Sequence, residues 1–344
     1  MRIAVVFDTP WADWSPADHW QQMEKEIAAW DQEEPDMEYQ IADALRQLGE
    51  EVHLIGVHDD IQCLAPALAE CKPDLVFNGA ESFHGKAELD YLFPALIDAE
   101  GYRYTGSSPT ALLVTRNKAM SKKVLAYHGI KVPGFATWRP GEKIVLPGDL
   151  HFPLFVKPLQ TDASAGIAQA SVVTDLAALV ERVTFVHERF RQPAIAEEFI
   201  DGRELYVSVI GNGDSLELLP ITEMVFDHSK TLPEERIATQ YAKWDESYRK
   251  RKGIRNVFAR PIAKAVRKTI EEICRTAQRA LWLQDYARLD LRLTKDNQVW
   301  LIEANANPFL SWGHDVANAA EKAGMPYTAL IRRILTEAVA RYDV

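Results

Sequence analysis

The segment 286–308 constrains the fold of this 344-residue chain more than any other segment. Two runs in which polar and apolar residues alternate, 288–293 and 299–305, flank the polar residues 295–298. Alternation with a period of two indicates β-strands, and a short polar break between two such strands indicates a tight turn. The segment therefore predicts a β-hairpin whose centre lies between residues 296 and 297.

The register of this hairpin decides which side chains share a face. Residues that pair across a hairpin have numbers with a constant sum, so the pairs follow from the position of the centre. The predicted pairs are Arg288 with Asn305, Asp290 with Glu303, and Leu291 with Ile302. Alternation then predicts an apolar face with Leu289, Leu291, Leu293, Trp300 and Ile302. The opposite face carries Arg288, Asp290, Arg292, Glu303 and Asn305.

Asp290 and Glu303 are the residues of the hairpin that need an explanation. Two carboxylates directly opposite each other lie roughly 5 Å apart at Cβ and repel. A divalent cation removes this repulsion, and two carboxylates with the carbonyl group of Asn305 are the oxygen ligands that Mg²⁺ prefers, with Mn²⁺ as another possible ion. The alternative is that Arg288 and Arg292 neutralise the acids in an ordinary lattice of ion pairs.

Composition argues against several classes of protein. A net charge of -11 is unsuited to a general nucleic-acid binder, which needs a basic surface. The three cysteines lack metal-type spacing, so we expect reduced thiols in the cytoplasm. The apolar run 3–7 is too short for a signal peptide, and no stretch has the length of a membrane span. We therefore expect neither nucleic acid nor a membrane as partner.

The N-terminal part of the chain predicts a parallel sheet. Strand patterns at 2–7, 51–57 and 73–78 alternate with helix patterns at 39–48 and 65–71. This order implies right-handed crossovers between parallel strands, with a first domain boundary near Thr115. An insertion after the first strand carries tryptophans at positions 11, 14, 20 and 30. It predicts either a satellite hydrophobic cluster or a lid or subunit contact.

Two lysines and one acidic strand are further candidates for a binding site. Lys157 ends the apolar strand pattern 153–158, where a buried ammonium group needs an anion. The small and hydroxyl residues of the following loop, 159–166, would let phosphates approach, although the lysine could instead extend to solvent. Lys118 begins a helix pattern. Residues 197–200 suit either a purine pocket or a linker strand.

In their order along the chain these residues resemble the ATP-grasp superfamily, specifically its D-alanine–D-alanine ligase branch. The resemblance is carried by Lys118, Lys157 with its small-residue loop, Glu197-Glu-Phe-Ile, Glu204, Arg288-x-Asp290 and Glu303-x-Asn305. It extends to residues 77–78, 84–85, 104–107, 131–133 and 323–326, and so covers nearly the whole chain. It implies an α/β (α+β ATP-grasp) fold of three domains. These are an N-terminal parallel-sheet domain (1–115), a central subdomain (116–201) and a C-terminal subdomain with the metal site (202–344).

The resemblance also implies a role for each residue. Lys118 and Lys157 would contact ATP phosphates, and Asp290, Glu303 and Asn305 would hold two Mg²⁺ ions. The adenosine of ATP would be surrounded by Glu197, Glu198, Phe199, Ile200 and Glu204. Three residues would serve catalysis: Arg288 at the reacting carboxylate, Lys243 on a closing loop and Ser164 on the phosphate loop. The implied activity is an ATP-dependent carboxylate–amine ligase that acts on small amino acids or peptides through an acyl phosphate, with a homodimer as a further implication.

Three departures from the ligase pattern leave the substrates open. The Gly-Gly-x-Ser-x-Glu turn of the family is replaced by residues 7–14, and its Glu-Asp-Gly is reduced at 86–90. After Glu303-Ala-Asn305 the chain continues Ala-Asn-Pro-Phe309, which places a bulky ring where the second amino acid would lie. The candidates are a ligase for a specialised amino acid or peptide, an authentic D-alanine–D-alanine ligase, and an ATP-binding partner or sensor without catalysis.

Overall fold

The computed structural model describes residues 1–161, 167–227, 229–231 and 236–343, so Ser164 lies outside the described ranges. Within these ranges the fold is α/β, as predicted, and is organised around three β-sheets. One sheet is parallel and two are antiparallel. No helix of the described residues is long and apolar enough to span a bilayer.

The first sheet is the parallel sheet that the sequence predicts, in the order β2-β1-β3. Residues 3–7 of its central strand are buried, because helices cover both faces of the sheet. The strands are β1 (Arg2–Asp8), β2 (Glu51–Val57) and β3 (Leu75–Asn78). The helices of this part are α1 (Pro16–Ala28), α2 (Met37–Gln47), α3 (Leu64–Cys71), α4 (Leu92–Ala99), α5 (Pro109–Arg116) and α6 (Lys118–Tyr127).

The tryptophan-rich insertion packs against the first sheet. Trp11 stacks on Trp14 with ring centroids 3.9 Å apart, and α1 begins directly after them. A capping box between Ser15 and Asp18 defines the start of α1. Trp20 and Met23 of α1 pack into the core of the first sheet, so the insertion joins this core and does not form the predicted satellite cluster. Trp30 makes a separate edge-on contact with Trp312.

The second sheet is antiparallel, in the order β4-β7-β5-β6, and one helix covers it. Its strands are β4 (Phe135–Trp138), β5 (Leu154–Pro158), β6 (Val172–Val173) and β7 (Ala194–Glu198), and the helix is α7 (Leu176–Phe190). Strand β5, which carries Lys157, pairs with β7, which carries the first residues of the predicted purine segment 197–200. The two candidate segments therefore lie in adjacent strands.

The third sheet is antiparallel, in the order β11-β10-β8-β12-β13, with β9 paired to the end of β8. Strand β9 is short, because Pro220 offers no N–H and interrupts the pairing before β10. The strands are β8 (Arg203–Ile210), β9 (Glu217–Leu218), β10 (Thr222–Val225), β11 (Arg255–Phe258), β12 (Tyr286–Leu293) and β13 (Val299–Asn305). The helices are α8 (Gln240–Trp244), α9 (Glu246–Lys252), α10 (Lys264–Ala280), α11 (Asp315–Lys322) and α12 (Tyr327–Tyr342).

A buried carboxylate in β10 predicts how stability depends on pH. Burial alone would raise the pKa of Glu223, but hydrogen bonds from Arg203 and Arg260 outweigh burial and lower it to about 2. A lowered pKa in the folded state stabilises the fold above the unfolded pKa, and this stabilisation is lost as the pH falls toward 2. We expect Glu223→Gln to lower the free energy of unfolding by about 3 kcal/mol at pH 6. In urea denaturation, the difference in unfolding free energy between wild type and Glu223→Gln should be smaller by about 1 kcal/mol at pH 3.5 than at pH 6. An equal difference at both pH values would contradict this ion-pair assignment.

Candidate active site

The predicted hairpin is formed by β12 and β13, and the part that carries the acids has the predicted register. Arg288 pairs with Asn305, and Asp290 pairs with Glu303. Directly after Asp290 the pairing shifts by one residue, so Leu291 lies opposite residue 301 and not opposite residue 302 as predicted. Such a β-bulge places two residues of one strand opposite one of the other and redirects their side chains.

Because of the bulge, the two faces of the hairpin differ from the predicted ones. Leu301 is fully buried in the core, whereas Trp300 and Ile302 are only partly buried. Trp300 pairs with Arg292 on the polar face, and Ile302 lines the same cleft as Glu303. The prediction that Trp300 and Ile302 belong to the apolar face was therefore wrong, and Leu301 takes their place in the core.

Strand β8 extends the polar face of the hairpin. Glu204 lies opposite Arg292, and Tyr206 lies opposite Asp290. Residues directly opposite each other in an antiparallel pair point to the same side of the sheet. The alternate residue Leu205 points to the other side and is fully buried. One face of the third sheet is therefore core and the other is polar.

A cleft of about 670 Å³ separates this polar face from the second sheet. Strands β5 and β7 contribute to one wall, and β8, β12 and β13 to the other. Helix α8, in the segment predicted as a closing loop, contributes one cation to the lining. The candidate residues that line the cleft are Lys157, Glu197, Glu198, Phe199, Ile200, Glu204, Lys243, Asp290 and Glu303.

Lys118, Arg288 and Asn305 contact residues of the cleft from its edge. Lys118 Nζ lies 3.1 Å from Glu303 Oε1. Arg288 Nε donates to Asp290 Oδ1 at 2.8 Å, and Asn305 Nδ2 lies 3.4 Å from the same oxygen. The structure therefore brings together all the candidate residues that it describes.

Each of the two opposed acids is held by a cation. Burial raises the pKa of Asp290, and the ion pair with Arg288 offsets this only in part. Burial also disfavours the charge of Glu303, but Lys118 and Lys157 outweigh it and lower the pKa of this carboxyl far below its ordinary value. The ion-pair alternative thus holds for Arg288, whereas Arg292 pairs with Glu204 instead of the opposed acids.

The oxygen atoms at this end of the hairpin suit a hard divalent cation. Asp290 and Glu303 face each other across the strand pair, and the Asn305 amide lies beside the Asp290 carboxylate. The described part of the chain contains no group of three or more His, Cys, Asp or Glu residues that could hold a metal ion. An ion at this position would complete its coordination with water and phosphate oxygens, as Mg²⁺ commonly does.

Glu197 is buried between two lysines, one of which the sequence analysis missed. Glu197 Oε1 lies 3.2 Å from the Nζ atoms of both Lys157 and Lys122. Lys122 also donates to the carbonyl oxygen of Ile302, so it connects α6 to the hairpin. Burial alone would lower the pKa of Lys157, but its acidic neighbours, chiefly Glu197, outweigh burial and raise it. Lys122 follows Lys118 by four residues, so the two lysines lie on the same side of α6, and this spacing could have identified Lys122 from the sequence.

Glu204, one of the predicted adenosine contacts, is held by two donors that were not predicted for it. Arg292 donates to its Oε2 atom, and the Tyr206 hydroxyl donates to its Oε1 atom at 2.8 Å. Arg292 lines the cleft and donates to the carbonyl oxygens of Gly202 and Arg236. These contacts depend on the pairing of β8 with β12, which are far apart in the sequence.

Comparison with known proteins identifies the family. Residues 124–336 match the family described as D-ala D-ala ligase C-terminus. Over 269 residues the chain is 33% identical to the uncharacterized protein y4sG of Sinorhizobium fredii, covering 78% of this chain and 75% of that protein. The chain belongs to the D-ala D-ala ligase family. It is an ATP-dependent ligase that forms a C–N bond.

Other relatives have more specific names. The D-alanine–D-alanine ligase of Bordetella petrii is 29% identical over 306 residues, covering 87% of this chain and 85% of that protein. The D-alanine–D-alanine ligase of Aquifex aeolicus is 26% identical over 296 residues, covering 86% and 92%. The crystal structure of D-alanine–D-alanine ligase from Bacillus anthracis complexed with ATP has a TM-score of 0.72 and 20% identity, covering 99% of this chain and 98% of that one. This likeness confirms the predicted ATP-grasp fold.

Proposed function

We propose that the chain activates a substrate carboxylate with ATP and joins it to an amine, giving an amide or dipeptide, ADP and phosphate. The observation that carries this proposal is the meeting of Asp290 and Glu303 with Lys118 and Lys157 at one cleft. Acids for a divalent cation and lysines for phosphate oxygens are the groups that phosphoryl transfer requires.

The two ends of the cleft suit the two ends of ATP. Lys118 and Lys157 are buried point charges beside the opposed acids, where we place the phosphates. The segment 197–200 and Glu204 lie with Phe155 and Ile237 around the remainder of the cleft. Apolar side chains with a few polar groups suit adenine and ribose. We propose a phosphate contact for Ser164 as well.

Asp290, Glu303 and Asn305 are the residues that would hold Mg²⁺ or Mn²⁺, and we propose two ions. When bound, the metal would neutralise negative charge on the phosphate oxygens during phosphoryl transfer. Because burial already disfavours the charge of Asp290, a nearby divalent cation would also stabilise this carboxylate in its ionised form.

Arg288 is the candidate for the second chemical step. The substrate carboxylate attacks the γ-phosphate of ATP and displaces ADP, giving an acyl phosphate. The amine then attacks the carbonyl carbon of the acyl phosphate, the nitrogen loses a proton, and phosphate leaves. Arg288 lies between Asp290 and Asp315, and these contacts position its guanidinium group. We assign to this cation the stabilisation of the oxyanion that forms during the amine attack. Lys243, from α8, would help to shield this step from water.

We propose a specialised amino acid or peptide, and not D-alanine alone, as substrate. The tryptophan-rich insertion and the first part of α2 contact the chain shortly after the altered segment 306–309. Trp312, after the hairpin, lies edge-on to Trp30 of the insertion, and its backbone N–H donates to Gln40 at 2.8 Å. Phe309 lies edge-on to His314 with ring centroids 4.8 Å apart. These contacts hold the chain directly after the rebuilt segment against the N-terminal part of the protein.

We extend the proposal to domains, location and assembly. The three sheets support a division into residues 1–115, 116–201 and 202–344. The three cysteines are unpaired, which supports a reducing cytoplasm. A homodimer is proposed from the resemblance to the ligase branch.

ADP release over a panel of amino acids and short peptides, supplied singly and in pairs, tests the proposed function. We expect ADP release only with a suitable pair, with an amide or dipeptide detected by mass spectrometry. Efficient release with D-alanine alone would favour an authentic D-alanine–D-alanine ligase. ATP binding without ADP release for every pair would favour the non-catalytic sensor.

A further inference from the structure

Tyr206 connects the two ends of the proposed ATP site although it is not among the residues that line the cleft. Its side chain is 2% exposed. Its hydroxyl donates to Glu204 at the proposed ribose end. Its ring lies near two cations of the reaction end, with Arg288 Cζ 5.4 Å and Lys243 Nζ 5.8 Å from the centroid. Each contact lies within the range in which a cation is attracted to an aromatic ring.

Tyr206 also anchors the segment that carries Lys243. It forms a small hydrophobic cluster with Met224 of β10, Ala242 of α8 and Ile254, and Tyr248 of α9 packs against this cluster. This cluster is separate from the main cores of the sheets. It attaches α8 and α9 to the polar face of the third sheet.

We infer that Tyr206 is a positioning residue of the ligase, with two separable functions. Its hydroxyl orients Glu204 for the nucleotide, and its ring positions Arg288 and, through the 238–254 segment, Lys243. This inference rests on the ATP site proposed above. Tyr206 acts through other residues of the site and does not need to contact the substrates.

Two variants separate the hydroxyl from the ring. Tyr206→Phe keeps the ring and removes one donor of Glu204, so KM for ATP should rise roughly threefold to tenfold while kcat changes little. Tyr206→Leu removes the ring as well, so kcat should fall by roughly a hundredfold, because small displacements of catalytic groups have effects of this size. A merely structural tyrosine would not produce this division between KM and kcat.

Limited proteolysis gives a readout that needs no substrate. The run Arg249-Lys-Arg-Lys252 in α9 offers trypsin sites within the anchored segment. Cleavage there should be roughly threefold to tenfold faster in Tyr206→Leu, because local opening exposes the sites, and unchanged in Tyr206→Phe. Identical cleavage rates in wild type and Tyr206→Leu would overturn the anchoring function.

Tyr39→Phe is the matched control for the lost hydroxyl. Tyr39 is equally buried, and its hydroxyl bonds to His19 at 3.1 Å, in the first sheet's core. This control should keep the wild-type KM and kcat. An unchanged KM for ATP in Tyr206→Phe would overturn the nucleotide function of the hydroxyl. If the wild type neither bound ATP nor released ADP, the proposed function would fail, and the proteolysis result would still decide the anchoring function.

Discussion

Asp290→Asn is expected to lower kcat for ADP release by roughly 10³-fold or more while the protein remains folded. The amide has the shape of the carboxylate but lacks the charge that holds a divalent cation beside the phosphates. Metal stabilisation of the transition state amounts to several kcal/mol, which corresponds to a rate loss of this order. Glu303→Gln should behave in the same way. Kinetics at saturating Mg²⁺, with unfolding curves for each variant, measure both effects.

Glu223→Gln is the matched control for these acids. Glu223 is a carboxylate of the same sheet that is even more buried, and Arg203 and Arg260 hold it away from the cleft. Its removal should lower stability and leave kcat near the wild-type value. A near-normal rate in Asp290→Asn or Glu303→Gln would refute the metal assignment.

Lys157→Met is the second substitution with a large expected effect. Lys157 lines the cleft, and burial of its charge is offset by Glu197 and Glu303. Without this cation the ATP phosphates would lose a buried positive charge, so kcat/KM for ATP should fall by roughly 10²- to 10³-fold. Nucleotide binding by calorimetry and steady-state kinetics measure the loss.

Lys122→Met provides a comparison that separates ATP use from stability. Lys122 is the same distance from Glu197 as Lys157, but it is not among the residues that line the cleft, and it bonds to Ile302. Breaking a buried ion pair lowers the free energy of unfolding by about 3–5 kcal/mol. Lys122→Met should therefore unfold more easily, while its folded fraction should use ATP within about tenfold of wild type. Equal losses of ATP use in the two variants would contradict the assignment of Lys157, and not Lys122, to the phosphates.

The hairpin shows which features of the fold could be predicted. Alternation and a polar break predict the pairing of Asp290 with Glu303, because both are local properties of the sequence. The bulge could not be predicted, because Leu301 and Ile302 are both apolar and either could enter the core. Packing against the rest of the third sheet selects Leu301, and this selection depends on residues far away in the chain.

The candidate active site shows the same limit of prediction from local sequence patterns. Lys118 and Lys157 were found because each is a cation in an unusual local context, and their order resembles a known family. The contacts of Tyr206 and Arg292 with Glu204 arise only when β8 and β12 pair. Hydrophobic patterns predict that these strands exist but not that they are neighbours. Contacts between distant strands are therefore the part of the site that the sequence did not reveal.

The most direct measurement of the central claim is the position of Mn²⁺ in crystals of the protein grown with a non-hydrolysable ATP analogue. Anomalous scattering locates the ion without assumptions about its ligands. We predict Mn²⁺ between the carboxylates of Asp290 and Glu303, within bonding distance of Asn305 and of the phosphate oxygens. An ion bound to phosphates alone, with Asp290 still paired to Arg288 and Glu303 to Lys118, would contradict the claim that the opposed acids form a metal site.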